Sequence, residues 1–110
     1  MTEEKGQRFN EGKLKWSYVH FGSLEPMVQV LMFGAKKYAP HNWMKGLDKI
    51  EILESMQRHL AALFAGEEID PESGLPHMGH IQCNTMFFNY MVKKEKEDEE
   101  REDKLFNKEN

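Results

Sequence analysis

The residues best suited to chemistry gather in one stretch: Glu67, Glu68, Asp70, Glu72, His77 and His80. Carboxylates in a loop suit Mg2+ or Mn2+, which take oxygen ligands. His77 and His80 stand three residues apart, a spacing that can aim both imidazoles at one site. Softer metals use such imidazoles as ligands, and in proton transfer the same rings act as general acid or base. The alternative is a solvated acidic turn beside a helix whose histidines bond to backbone or carboxylates. Spacing alone is compatible with both.

A second group is Glu51, Glu54 and Arg58. Two carboxylates at i, i+3 can share a divalent cation. Equally, Glu54 and Arg58 make an i, i+4 ion pair on an exposed helix face. His59 follows at the border of an apolar arc, where a histidine is most often packed and hydrogen-bonded. Basic and aromatic residues alternate in Lys13, Lys15 and Trp16, in Lys36, Lys37 and Tyr38, and in Asn42 and Trp43. Aromatic rings can stack a base and lysines can meet phosphates. The same aromatics are also ordinary core and rim residues. Cys83 has no partner motif and reads as structural. There is no Walker loop, dinucleotide-binding glycine fingerprint, Gly-x-Ser-x-Gly or zinc-ribbon spacing. That excludes the P-loop nucleotidases, dehydrogenases and serine hydrolases that carry those motifs.

Helices must position these groups. Residues 1–22 lack a clear period and read as an ordered arm or short extended segment. Ser23 is the expected N-cap of a first helix, with Glu25 and Pro26 in its first turn. Leu24, Val28, Leu31, Met32, Ala35 and Tyr38 recur at helical spacing, and Ala39-Pro40 ends the run. Asp48 and Glu51 have capping-box spacing for a second helix from about Lys49 to Ala65, stopped by Gly66. Its apolar arc is Ile52, Leu53, Met56, Leu60, Leu63 and Phe64. Residues 66–76 form an acidic loop rich in breakers. Pro76 then opens a third helix that carries Met78, Ile81, Thr85, Phe88 and Val92 on one face. His77, His80 and Asn84 lie on an adjacent stripe.

Composition bounds the rest. The 110 residues fit one domain. The net charge of −4 gives no global field toward nucleic acid or an anionic membrane, so neither partner is expected. The N-terminus has no apolar signal segment and no apolar run approaches a membrane span, so a cytoplasmic location is expected. The single cysteine cannot form an internal disulfide. A chain this short buries roughly 60–65% of its surface. Two Trp, seven Phe, three Tyr and eight Met exceed what three helices cover, so a homo-oligomer is expected. The expected fold is all-α: a small bundle of three main helices with an N-terminal arm and a charged C-terminal helical extension. The core domain spans 1–92. Residues 93–110 form a solvated tail that frays and whose Leu105-Phe106 can dock on a neighbouring subunit.

Three blocks together resemble a known family. They are Gly12-Lys13-Leu14-Lys15-Trp16; then Phe33 through Tyr38 with Asn42-Trp43; then Arg58-His59-Leu60 with Gly66 through His80 and Asn84. The pattern is similar to the small, mainly phage-encoded dATP/dGTP diphosphohydrolase family, in its N-terminal domain, over roughly residues 8–92. The Asp-x-Glu-Ser-Gly-x-x-His-x-x-His block is its most specific part. The resemblance implies a helical fold related to the all-α MazG-like pyrophosphohydrolases. Those enzymes bind Mg2+ through a Glu-x-x-Glu pair followed by Glu-x-x-Asp. Glu51/Glu54 and Glu67/Asp70 reproduce those letters, although Glu67 to Asp70 lies in a loop rather than mid-helix.

The resemblance implies an enzyme that releases pyrophosphate from purine deoxynucleoside triphosphates, in the host cytoplasm where the gene is a phage's. Glu54, Glu67, Glu68 and Asp70 would hold Mg2+ or Mn2+. Glu54, Glu67, Asp70, His77 and His80 would form the catalytic set. Lys13, Lys15, Trp16, Lys36, Lys37, Tyr38, Asn42, Trp43, Arg58, His59 and Asn84 would bind substrate, at sites near subunit interfaces. A second reading uses the same residues without turnover, in a sponge that sequesters a host nucleotide immune signal as an anti-defence protein. A third, a helical protein-interaction module, requires less polar density than residues 67–80 supply.

Overall fold

The computed structural model describes residues 6–109, so the first residues of the expected arm and Asn110 lie outside the described residues. The fold is all-α apart from one very short hairpin. Helix α1 spans Glu25–Lys37, α2 spans Lys49–Phe64 and α3 spans His77–Glu109. Strands β1 (Ile69–Asp70) and β2 (Leu75–Pro76) sit between α2 and α3. They pair antiparallel, with Ile69 facing Pro76 and Asp70 facing Leu75. Both α1 and α2 pack against α3, which is the spine of the molecule.

Several expectations are corrected at the element ends. Ser23 is not the N-cap of α1. A 3₁₀ turn over Phe21–Leu24 runs directly into the helix, Leu24 takes the cap position, and the His20 ring accepts the Ser23 N–H at 3.1 Å. The arm is not extended: Trp16–Tyr18 is another 3₁₀ turn. The Lys13–Trp16 alternation forms no strand; the two strands among the described residues, β1 and β2, pair with each other. The acidic loop contains the hairpin, and Pro76 closes β2 instead of opening α3. Proline is tolerated there because a two-residue edge strand demands few donors.

Helix α2 begins and ends as its residues dictate. The Asp48 carboxylate accepts the N–H groups of Ile50 at 2.8 Å and Glu51 at 3.4 Å. At the other end Gly66 adopts φ +91°, and the N–H groups of Gly66 and Glu67 bond back to the carbonyls of Leu63 and Ala62. This is a Schellman turn, which needs a residue without a Cβ penalty at that φ. It directs the chain straight into β1.

The seams differ from the expected stripes. On α3 the buried residues are His77, Gly79, Cys83 and Met91; of the expected stripe, Ile81 and Phe88 are half-buried, whereas Met78, Thr85 and Val92 are exposed. Small residues set this rotation. A Cβ on Gly79 would stand 2.6 Å from the Pro26 carbonyl oxygen, so only glycine lets α1 come so close. One turn on, the Cys83 thiol donates to the Met27 carbonyl at 3.2 Å, and the Gln82 amide donates to the Ser23 carbonyl at 3.1 Å. On α2 the apolar arc is divided. Ile52 is buried and Met56 and Leu63 are half-buried, but Leu53, Leu60 and Phe64 face solvent. The arc is wider than one neighbouring helix can cover, and α3 takes the Ile52–Met56–Leu63 side.

The loop between α1 and α2 docks on the middle of α3. Trp43 stacks on Phe87 at 4.8 Å and meets the edge of Tyr90 at 5.0 Å. Lys49 pairs with Glu95 at 2.8 Å. Beyond Val92, α3 continues as a charged helix through residue 109, largely exposed as far as residue 107.

Candidate functional site

Three elements meet at a cluster of histidines and carboxylates. The last turns of α2 supply His59, the hairpin supplies Asp70 and Ser73, and the first turn of α3 supplies His77 and His80. Gly66 supplies the reversal that brings the hairpin back over this corner. The His77 N–H donates to the Glu68 carbonyl at 2.9 Å and fixes the start of α3 under the hairpin. One ligand atom from each of His59, Asp70 and His80 lies within 4.8 Å of the others, and all three side chains are half-buried.

The hydrogen bonds set the tautomers of His77 and His59. His77 is only 4% exposed and uses both ring nitrogens. Its Nε2 stands 2.8 Å from the Glu67 carboxylate, and its Nδ1 stands 2.8 Å from His59 Nδ1. A carboxylate accepts, so in the neutral ring Nε2 carries the proton and donates to Glu67. His77 Nδ1 is then an acceptor, and His59 Nδ1–H donates to it. That leaves the lone pair of His59 on Nε2. The His59 ring lies parallel to that of His80, with centroids 4.5 Å apart.

Asp70 is held from several sides. Its Oδ1 accepts the Glu72 N–H at 3.0 Å, and its Oδ2 accepts the Ser73 hydroxyl at 3.2 Å. His80 Nε2 lies 2.8 Å from Ser73 Oγ and 3.4 Å from Asp70 Oδ2. Burial alone would raise the pKa of Asp70. The Glu72 N–H, the Ser73 hydroxyl and the charges of His80 and His59 outweigh it and hold the carboxyl below its usual range. Burial lowers His59, and the neighbouring His80 and His77 lower it further. His80 is also lowered by burial, with Asp70 opposing. The site thus favours the ionised form of Asp70, whereas burial disfavours a proton on His59 and His80. Such rings can act as ligands or as proton acceptors.

A cavity of about 630 Å³ opens beside it, within the usual size of small-molecule sites. Leu31, Tyr38, Trp43, Met86 and Phe87 line it, and His80 belongs to its wall. On its rim Ala39 has φ +144° and His41 has φ +63°, conformations that non-glycine residues rarely adopt. The cavity is apolar, with Lys37, His41 and Asn42 among its few polar lining residues.

The structure gathers some of the expected residues and separates others. Asp70, His77 and His80 meet, joined by Glu67 through His77. Glu54 and Glu68 are exposed and are not members of the three-residue ligand group. Lys37, Tyr38, Asn42 and Trp43 line the cavity. Lys36 and Arg58 are exposed on their helices. Lys15 and Trp16 line a separate groove of about 190 Å³ with Leu14 and Val19, and Lys13 is exposed nearby in sequence. Asn84 donates to Ser55 Oγ at 3.2 Å and ties α3 to α2. Sequence reasoning gave Ser73 no role and set His59 apart from the cluster. The signal for Ser73 was its place between Asp70 and His80; for His59 it was the Arg58-His59-Leu60 block of the resemblance, which implied substrate binding and not a place beside Asp70 and His80.

Comparison with known proteins fixes the family. A model of the dATP/dGTP diphosphohydrolase N-terminal family matches residues 3–101. The chain belongs to this family. A protein of Salmonella phage PMBT28 named dATP/dGTP diphosphohydrolase is 31% identical over 87 residues, covering 79% of this chain and 30% of the relative. The chain thus spans less than a third of that relative's length. No solved structure matches it.

Proposed function

We propose that this chain is a nucleotide-handling domain of a metal-dependent diphosphohydrolase that converts purine deoxynucleoside triphosphates to monophosphate and pyrophosphate. One observation carries the reading: His80 belongs both to the polar cluster and to the wall of the apolar cavity. A purine nucleotide has the same polarity, with a flat apolar base at one end and phosphates at the other. The base lies in the cavity against Tyr38, Trp43 and Phe87, and the phosphates reach the corner of His59, Asp70 and His80. Lys37 at the rim adds positive charge. Family membership and the phage relative's name support the substrate class.

Binding without turnover is the second reading. It is favoured by the separation of Glu54 and Glu68 from the cluster, which leaves an acidic metal cage unassembled among the described residues. One experiment separates the two. The purified chain is incubated with dATP, dGTP, the ribonucleotides and cyclic nucleotides, with Mg2+, with Mn2+ and with EDTA. Products are separated by chromatography, and half of each sample is heated first. Monophosphate and pyrophosphate accumulating over many turnovers establish the hydrolase. Loss of one free nucleotide, restored intact by heating, establishes a sponge. No change in any nucleotide overturns both.

A further inference from the structure

We infer that His59, Asp70 and His80 form a three-ligand site for a first-row transition-metal dication such as Mn2+, Co2+ or Zn2+, with Glu67 and His77 acting as positioning residues. Two imidazoles and one carboxylate are the donor set for such ions, whereas Mg2+ prefers oxygen throughout. Three protein ligands leave coordination positions open, as in sites where an ion meets a substrate. That an ion here would contact nucleotide phosphates rests on the proposed function; the binding of the ion does not.

The geometry argues for it in two ways. Ligand atoms on one ion with bonds of about 2.1 Å stand about 3.0 Å apart in an octahedron and about 3.4 Å apart in a tetrahedron. His80 Nε2 and Asp70 Oδ2 already stand 3.4 Å apart. The second argument is the relay. Metal-binding histidines commonly use their remaining ring N–H on a fixed acceptor, which sets tautomer and orientation. The run from Glu67 to His77 to His59 does this and leaves the His59 Nε2 lone pair for an ion. Asp70 keeps its own orientation through the Glu72 N–H. His59 and His80 are parallel, so the His80 ring turns about its Cβ–Cγ bond as the ion enters, while His59 keeps its bond to His77. The Ser73 hydroxyl donates to Asp70, so His80 Nε2–H donates to Ser73 before binding; on binding Nε2 gives up that contact, and the ring proton passes to Nδ1 through solvent.

The test uses the whole chain stripped with EDTA. Co2+ is titrated while visible absorption is followed, and Zn2+ is titrated while imidazole nitrogen resonances are followed. We expect one Co2+ per chain, displaced by Zn2+ and retained in millimolar Mg2+. The resonances of His59 and His80 move, and those of His20 and His41 stay. Asp70→Asn and His80→Gln each weaken Co2+ by at least about tenfold, and Glu67→Gln weakens it less while leaving the stoichiometry at one. Circular dichroism checks that each variant is folded, and the wild-type spectra decide the matter where one is not. Absence of stoichiometric uptake, displacement by Mg2+, or shifts confined to His20 and His41 overturns the inference. Nucleotide turnover or retention without metal uptake defeats this inference alone, and metal uptake with neither turnover nor retention of any nucleotide defeats only the proposed function.

Discussion

Among single residues, His77 and Cys83 show what burial does to reactive groups. His77 is almost wholly enclosed, yet both its nitrogens are used, so its polarity is satisfied. Cys83 is enclosed too, and burial pushes its thiol up to about 12 from an ordinary 9.0. Between these values the unfolded chain loses the thiol proton while the folded chain keeps it. Cys83 therefore contributes nothing to pH dependence below about pH 9 and subtracts stability progressively as pH rises above it. Iodoacetamide at pH 8 should leave Cys83 unmodified in the native protein and alkylate it in urea, as read by mass spectrometry. The alkaline loss of stability should be shallower in Cys83→Ala. Rapid native alkylation at pH 8 would place the thiol at the surface instead.

For the elements, the decisive contact is α1 on α3. Gly79→Ala puts a methyl 2.6 Å from a backbone carbonyl, which cannot swing away as a side chain does. We expect a loss of about 1–3 kcal/mol, measured as a lower midpoint in urea unfolding. An unchanged midpoint would mean that α1 moves aside without penalty. This contact also shows where sequence reading succeeds and stops. Helix α2 was legible because Asp48 and Gly66 act within a few residues of themselves. The face that α3 buries was not, because it depends on Gly79 meeting Pro26, far away in sequence. The expected stripe of Met78, Ile81, Thr85, Phe88 and Val92 looked wholly inward only while that close approach was unknown; Ile81 and Phe88 are half-buried and the other three are exposed. The candidate site divides the same way. The Asp70 to His80 block stood out through its density of polar residues. His59 joins it only through the reversal at Gly66, which brings the hairpin and α3 back against α2.

For the whole molecule, the uncovered side of α2 matters most. Ile50, Leu53, Leu60 and Phe64 recur at spacings of three, seven and four, and Phe64 is 86% exposed. That spacing makes a seam suited to another helix, and we propose a second copy of the same seam as its occupant. Sedimentation equilibrium should show self-association in the wild type, and Leu60→Glu with Phe64→Glu should shift it to monomer. A wild-type monomer at high concentration would remove self-association from the account. The choice of method follows from the shape. Helix α3 projects well past the packed part of the bundle, and the radius of gyration is 19.7 Å, against about 13 Å for a compact chain of this length. Frictional drag depends on that reach. A single copy would migrate through a gel-filtration column like a considerably heavier sphere, so elution volume overstates mass where scattered light or equilibrium sedimentation reports it directly.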